Sequence, residues 1–330
     1  MNFWRKLFGK EQPKPAPQPT IAATPLPVTT QRAAPPQSSN TGGNTLSLES
    51  YLTGILNQID SHGYETFLAD RRDAFEHQKQ GFSTYDMSSL NDIIEIWELA
   101  KTSEGRSDWK GLRAGAHHVL NGLTIYNRRY TADLKQWVLK ENVPRGLRMI
   151  GVANTGLGDF KRAQLFLEAA QQSMEWELDS ARSNTQTYLD LDTAVCAVAA
   201  GDLDRYAGVL TKLRARASRS GQFDSDPGKW AHLLFGIGMN SQGRQDANGK
   251  PLRHSEAHAI ALFQVSADFN RDIKDLNGLG ITLVNLGCCH ATLGNKAEAE
   301  KCWAEGKEFI KTAGDHALLS QVEKLILKHS

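Results

Sequence analysis

Two histidines, His254 and His258, stand four residues apart, the spacing at which one helix face offers two imidazoles to a single metal ion. Glu256, midway between them, is expected to point elsewhere. The His-Glu-x-x-His order of a zinc protease is absent, and no third ligand is evident. Cys288, Cys289, His290 and Cys302 are of the zinc-binding kinds. They occupy positions that helix packing would bury, which favours free, buried thiols. His117 and His118 are adjacent, face different ways and suit a surface. The chain has no phosphate-binding glycine loop and no nucleophile with its base. No cofactor or metal is therefore expected, and the chain does not read as an enzyme. The alternative is an enzyme or metal-dependent regulator with its site near His254 and His258.

The balance of charge points the same way. Lys and Arg number 38 against 37 for Asp and Glu, a formal net charge of +1, so nothing global recommends nucleic acid or an acidic substrate. Four cysteines without a regular framework suit a reducing compartment. No apolar run approaches the roughly 18 residues of a membrane span. Arg5 and Lys6 interrupt the short apolar stretch at the start, so no secretory leader is read there. A cytoplasmic protein is expected, peripheral on the inner face of a membrane if its head engages lipid.

That head, residues 1–10, is short, basic and aromatic. On a helix Phe3, Trp4, Leu7 and Phe8 share a face, and Arg5, Lys6 and Lys10 flank it. These features predict weak, reversible contact with an anionic membrane surface. Residues 11–45 are rich in Pro, Gln, Ala, Ser and Thr and predict a disordered linker. Residues 46–142 read as an N-terminal helical region. Leu48, Leu52, Ile55, Leu56 and Ile59 mark one helix, residues 64–78 a second and residues 88–101 a third. Gly115 and Gly122 suggest a degenerate repeat, followed by a helix N-capped at Thr131.

From about Pro144, one spacing recurs four times within residues 143–330. Gly151, Gly158, Ala163 and Leu167 are matched by Gly287, Gly294, Ala299 and Trp303. Ala194, Gly201, Tyr206 and Leu210 follow the same steps. Gly236 and Gly243 begin a further copy that resumes at Ala259 and Phe263 after about eleven extra residues. Seven residues make about two helical turns. The first small residue of each copy should sit where a second helix crosses closely. Gly158, Gly201, Gly243 and Gly294 should then end the first helix in the left-handed conformation. Asp159, Asp202 and Asn295 follow as N-caps. Asn248-Gly249 signals a turn inside the inserted loop, Gln242 to Arg253. Residues 317–327 read as a last, capping helix.

This pattern resembles the tetratricopeptide repeat, over roughly residues 144–312 and most closely from Gly280 to Ile310. The copies stand 43, 42 and 51 residues apart at positions 151, 194, 236 and 287, against about 34 in the usual repeat. The resemblance implies an all-α fold, a right-handed superhelical stack of helical hairpins (an α-solenoid) with extra N-terminal helices. It implies a non-enzymatic protein- or peptide-binding scaffold or adaptor, with the partner in a groove lined by the first helix of each hairpin. The groove-facing spacing falls on Arg145 and Arg148, then Tyr188, Leu191 and Val195. Trp230, Leu233, Ile237 and Asn240 follow, then Ile281, Val284 and Cys288. Such a groove is apolar with a basic entrance and suits an amphipathic helix, Arg145 and Arg148 steering acidic flanks. The Lys/Asn set that clamps a C-terminal carboxylate in some members is missing. Two other readings stay open: a groove filled by the chain's own helices, and a structural subunit that assembles with copies of itself.

Overall fold

The computed structural model describes residues 90–106, 108–129, 132–174, 179–217 and 225–329. Two units divide the chain, Met1–Thr45 and Leu46–Ser330. The membrane-contact positions Phe3, Trp4, Leu7 and Phe8, the linker and the two helices expected within residues 48–78 lie outside the described residues. Among the described residues the secondary structure is helical apart from one isolated bridge, Gln245 with Pro251. No described helix is long and apolar enough to cross a membrane.

The helices are α1 (Leu90–Gly105), α2 (Trp109–Arg129), α3 (Ala132–Leu157), α4 (Phe160–Ser173), α5 (Asp179–Ala200) and α6 (Leu203–Ala217). They continue with α7 (Pro227–Ser241), α8 (Arg253–Asp272), α9 (Leu276–Thr292), α10 (Lys296–Thr312) and α11 (His316–Ile326). Four successive pairs, α3–α4, α5–α6, α7–α8 and α9–α10, pack as the expected hairpins. Helix α3 also meets α5, and α9 meets α11. Helix α8 departs from neighbour-only packing, since it touches α3 and α5 as well as α7 and α9.

The punctuation follows from backbone chemistry. Gly158, Gly201, Gly243 and Gly294 all hold positive φ, between 71° and 85°. A side chain there would strain the turn. Glycine ends α3, α5 and α9 in this way, whereas α7 already leaves the helix at the extended Gln242, one residue before Gly243. Asp159 and Asp202 then accept the amide N–H groups of Arg162 and Arg205 and cap the second helices. Asn295 takes the same position without a side-chain cap bond.

Close crossings fix how each pair meets. A Cβ on Gly151 would lie 2.7 Å from Leu167, and one on Gly287 would lie 2.5 Å from the Trp303 ring. Only a residue without a side chain allows either approach. The third hairpin corrects the expected register. Nothing lies within 4 Å of a Cβ at Gly236, whereas one at Gly238 would lie 2.6 Å from Phe263. The crossing sits two residues further on because Gly238 is on the buried side of α7 and Gly236 is exposed. In the second hairpin Tyr206, standing where the others carry alanine, extends to α8 and donates its hydroxyl to Asp268.

Helix α3 shows a second departure. It runs unbroken through Pro144 and so crosses the expected boundary between residues 142 and 143. A proline inside a helix removes one backbone bond at a cost of about 3 kcal/mol. Packing offsets that cost, because Val143, Leu147 and Ile150 are buried and Gly146 crosses closely against Leu120 of α2. Nor does α2 stop at Gly122. It continues to Arg129, and the close crossing at Gly115 is with Ala100 of the preceding helix.

Candidate partner-binding site

Six of the groove positions meet in one place. Arg145 and Arg148 on α3, Tyr188 and Leu191 on α5, and Leu233 and Ile237 on α7 line a cavity of about 390 Å³. Helix α1 supplies a wall that the repeat spacing did not anticipate, with Trp97, Lys101 and Glu104. Met149, Thr185, Asp192 and Leu234 complete the lining. The volume falls within the range of roughly 300–1,000 Å³ typical of ligand sites, and the mix of apolar walls with few polar groups is also typical.

The other expected positions lie elsewhere. Trp230 is fully buried, its ring edge-on to Phe269 at 5.3 Å in the core shared by α5, α6, α7 and α8. Ile281 and Val284 are buried on α9, and Val284 packs where Gly306 brings α10 close. Cys288 is a buried free thiol. Asn240 is exposed near the end of α7, outside the cavity lining. Among the described residues, six expected positions thus line a cavity between α1, α3, α5 and α7, and those on α9 are buried.

Arg148 anchors the charged part of the cavity. Its Nη1 donates to Asp192 Oδ2, its Nη2 lies 3.6 Å from Glu104 Oε1, and its guanidinium carbon sits 5.3 Å from the centre of the Tyr188 ring. Burial opposes its charge, but Asp192 and Glu104 outweigh that and hold the guanidinium above its ordinary value. Burial pushes the Asp192 carboxyl up to about 6; Arg148 pulls against the rise and Glu104 adds to it. Tyr188 is raised as well, chiefly by burial, with Arg148 opposing. Arg148 is therefore a braced, buried cation and does not project as a steering charge. Lys101 lies further out, its Nζ 2.6 Å from Glu98.

A much smaller cavity of about 10 Å³, room for about one water, shares Glu104, Asp192 and Ile237 with the larger one. Thr155, Val195 and His258 also line it. His258 is a core residue, its ring edge-on to Trp109 at 4.8 Å and its Nδ1 3.4 Å from the Ser241 hydroxyl. Burial, helped by His254, lowers its pKa to about 3. Glu256 is buried too, and accepts the Gly243 N–H at 2.6 Å. Its carboxyl is pushed up by burial, partly offset by the Gly243 and Cys289 donors. The side chain expected to point away thus caps the turn that begins the inserted loop. Among the described residues no group of three His, Cys, Asp or Glu side chains is arranged to hold a metal ion.

Asp192, Glu104 and Trp97 were missed by reading one register per hairpin. A signal existed: Asp192 stands four residues after Tyr188, and Trp97, Lys101 and Glu104 follow steps of four and three, so each set shares a helix face. Compared with known family models, curated proteins and solved structures, the chain matches none.

Proposed function

We propose that the hairpins form a tetratricopeptide-like stack and that the protein is a non-enzymatic scaffold that captures a protein or peptide in the cavity between α1, α3, α5 and α7. One observation carries this reading: six positions transferred from a groove-facing spacing line a single cavity. The cavity is open to solvent at half-buried Tyr188, Leu233 and Ile237, which suits insertion of one or two anchoring side chains from a partner. Each buried apolar anchor contributes about 1.5–3 kcal/mol, enough to set specificity from a small contact.

Site-specific photo-crosslinking in the native cell tests it. A photoreactive residue replacing Leu233 should trap one discrete partner, and the same residue replacing Asn240 should not. Equal labelling from both positions, or none from Leu233, contradicts the cavity as the capture site.

A further inference from the structure

The inserted loop between α7 and α8, residues 242–252, does not line the capture cavity, and its charge is one-sided. Its two legs are paired: the Leu252 N–H donates to the Arg244 carbonyl at 2.8 Å, and the Asp246 N–H to the Lys250 carbonyl at 2.9 Å. That pairing sets Arg244 beside Arg253, the first residue of α8. Arg244 Nη1 in turn donates to the carbonyl of Arg106, just past the end of α1, at 3.4 Å. Lys110 stands in the first turn of α2. His254 feels both elements: burial lowers its pKa, and the charges of Arg244 and Lys110 lower it further. Arg106, Lys110, Lys250 and Arg253 are exposed, and among the described residues none of these four side chains forms an ion pair. By contrast Arg205, Arg214 and Arg271 are paired with Glu168, Asp272 and Asp268.

The neighbouring carboxylates do not restore the balance. Asp108 accepts the Gly111 N–H, Asp246 those of Asn248 and Lys250, and buried Glu256 that of Gly243. Against these three stand five cations, Arg106, Lys110, Arg244, Lys250 and Arg253, so the surface keeps positive charge. Like charges held together on a fixed frame repel, and an anion laid across them relieves that. The cluster also borders the capture cavity. Arg106 lies two residues beyond Glu104, which lines it. His254 lies about one helical turn before His258, which lines the small cavity sharing Glu104 and Asp192 with it. Among the described residues the exposed large apolar side chains are elsewhere, at Leu99, Leu203, Ile273 and Leu327, and Trp109 is buried. The cluster therefore offers no wedge for a membrane and no ring on which a base could stack.

Resting on the partner-capture reading above, we propose that this cluster is a second contact surface for the captured protein and binds an acidic segment, a run of Asp or Glu flanking the residues that enter the cavity. Carboxylates of that segment accept hydrogen bonds from Arg106, Lys110 and Arg253. With Arg148 braced, the steering of acidic flanks falls to these exposed side chains.

Fluorescence anisotropy of labelled hexaglutamate with the full-length protein at low salt tests this, hexaglutamine serving as the neutral control. Hexaglutamate should bind and hexaglutamine should not. Lys110→Glu/Arg253→Glu should weaken binding about tenfold at unchanged helicity by circular dichroism. Lys311→Glu/Lys324→Glu, at exposed positions of α10 and α11, changes the net charge equally and should leave binding within about twofold. Absence of hexaglutamate binding, equal loss in both variants, or no loss in the first overturns the proposal. So does tighter binding of oligouridylate, or flotation on phosphatidylserine vesicles that Lys110→Glu/Arg253→Glu abolishes, outcomes that give the cluster to RNA or to a membrane. Capture of the partner trapped from position 233 should fall about tenfold in the same variant. Capture unchanged there but lost in Tyr188→Ala/Leu233→Ala removes the acidic contact and keeps the cavity. The reverse pattern keeps the acidic contact and contradicts the cavity reading.

Discussion

Gly287 and Trp303 are in such close contact that one methyl group on the glycine would lie 2.5 Å from the indole ring, with the Ala299 carbonyl 3.0 Å away. The crossing of α9 and α10 exists because position 287 has no side chain. Gly287→Ala should therefore cost about 1–3 kcal/mol by overpacking, despite alanine's better helix propensity. Urea unfolding of the variant measures it.

The third hairpin allows a sharper comparison, because two glycines of α7 differ in surroundings. Gly238→Ala should destabilise, its Cβ meeting Phe263, whereas Gly236→Ala should stabilise by about 0.5–1 kcal/mol through helix propensity in open space. The opposite order of unfolding midpoints would restore the register read from spacing alone.

The left-handed glycines were legible because a positive φ constrains residue type at one position, whatever surrounds it. Gly158, Gly201 and Gly294 accordingly fell where expected, while Gly243 is left-handed one residue past the extended end of α7. The crossing glycine of α7 was not legible, since a step of seven from Gly243 selects Gly236 while tertiary packing selects Gly238. Trp230 shows the same limit: its position on the helix suited a groove, yet Phe269, 39 residues away in sequence, covers it. Arg148 lines the cavity as a guanidinium braced by Asp192 and Glu104. Its partners Glu104 and Asp192 are each 44 residues away, on other helices, and the helix-face spacing that groups each with its own neighbours does not pair either with Arg148.

His258 makes the fold sensitive to acid. In the unfolded chain its imidazole takes a proton near pH 6.5, while the folded protein keeps it neutral down to about 3. Between those values the unfolded state binds the extra proton. Stability from this group is complete above pH 6.5 and is lost as pH falls toward 3. From about pH 7 to pH 5 the wild type should lose on the order of 2 kcal/mol more than a His258→Gln variant. Equal losses in the two would mean that the imidazole ionises normally in its site against Trp109 and Ser241.

Removing Arg148 should uncover the repulsion it now balances. Arg148→Met leaves Asp192 and Glu104 without their shared counter-charge and should cost on the order of 3 kcal/mol. Adding Asp192→Asn should recover part of that loss, because the two positions are coupled. Strict additivity in urea unfolding would show that the ion pair contributes nothing.

Trp230→Ala should destabilise by about 3–5 kcal/mol, as expected for emptying a core position. Any loss of partner capture it causes should be matched by a loss of folded protein. Capture lost at full helicity and unchanged unfolding midpoint would return Trp230 to the binding surface.

Partner capture from the native cell with the Tyr188→Ala/Leu233→Ala variant beside the wild type decides whether the cavity is the capture site. Both side chains line the cavity and are only half-buried, so helicity should hold. Capture of the partner trapped from position 233 should weaken on the order of 10- to 100-fold, the effect of losing two apolar contacts. Capture at wild-type strength by a fully folded double variant would contradict the account.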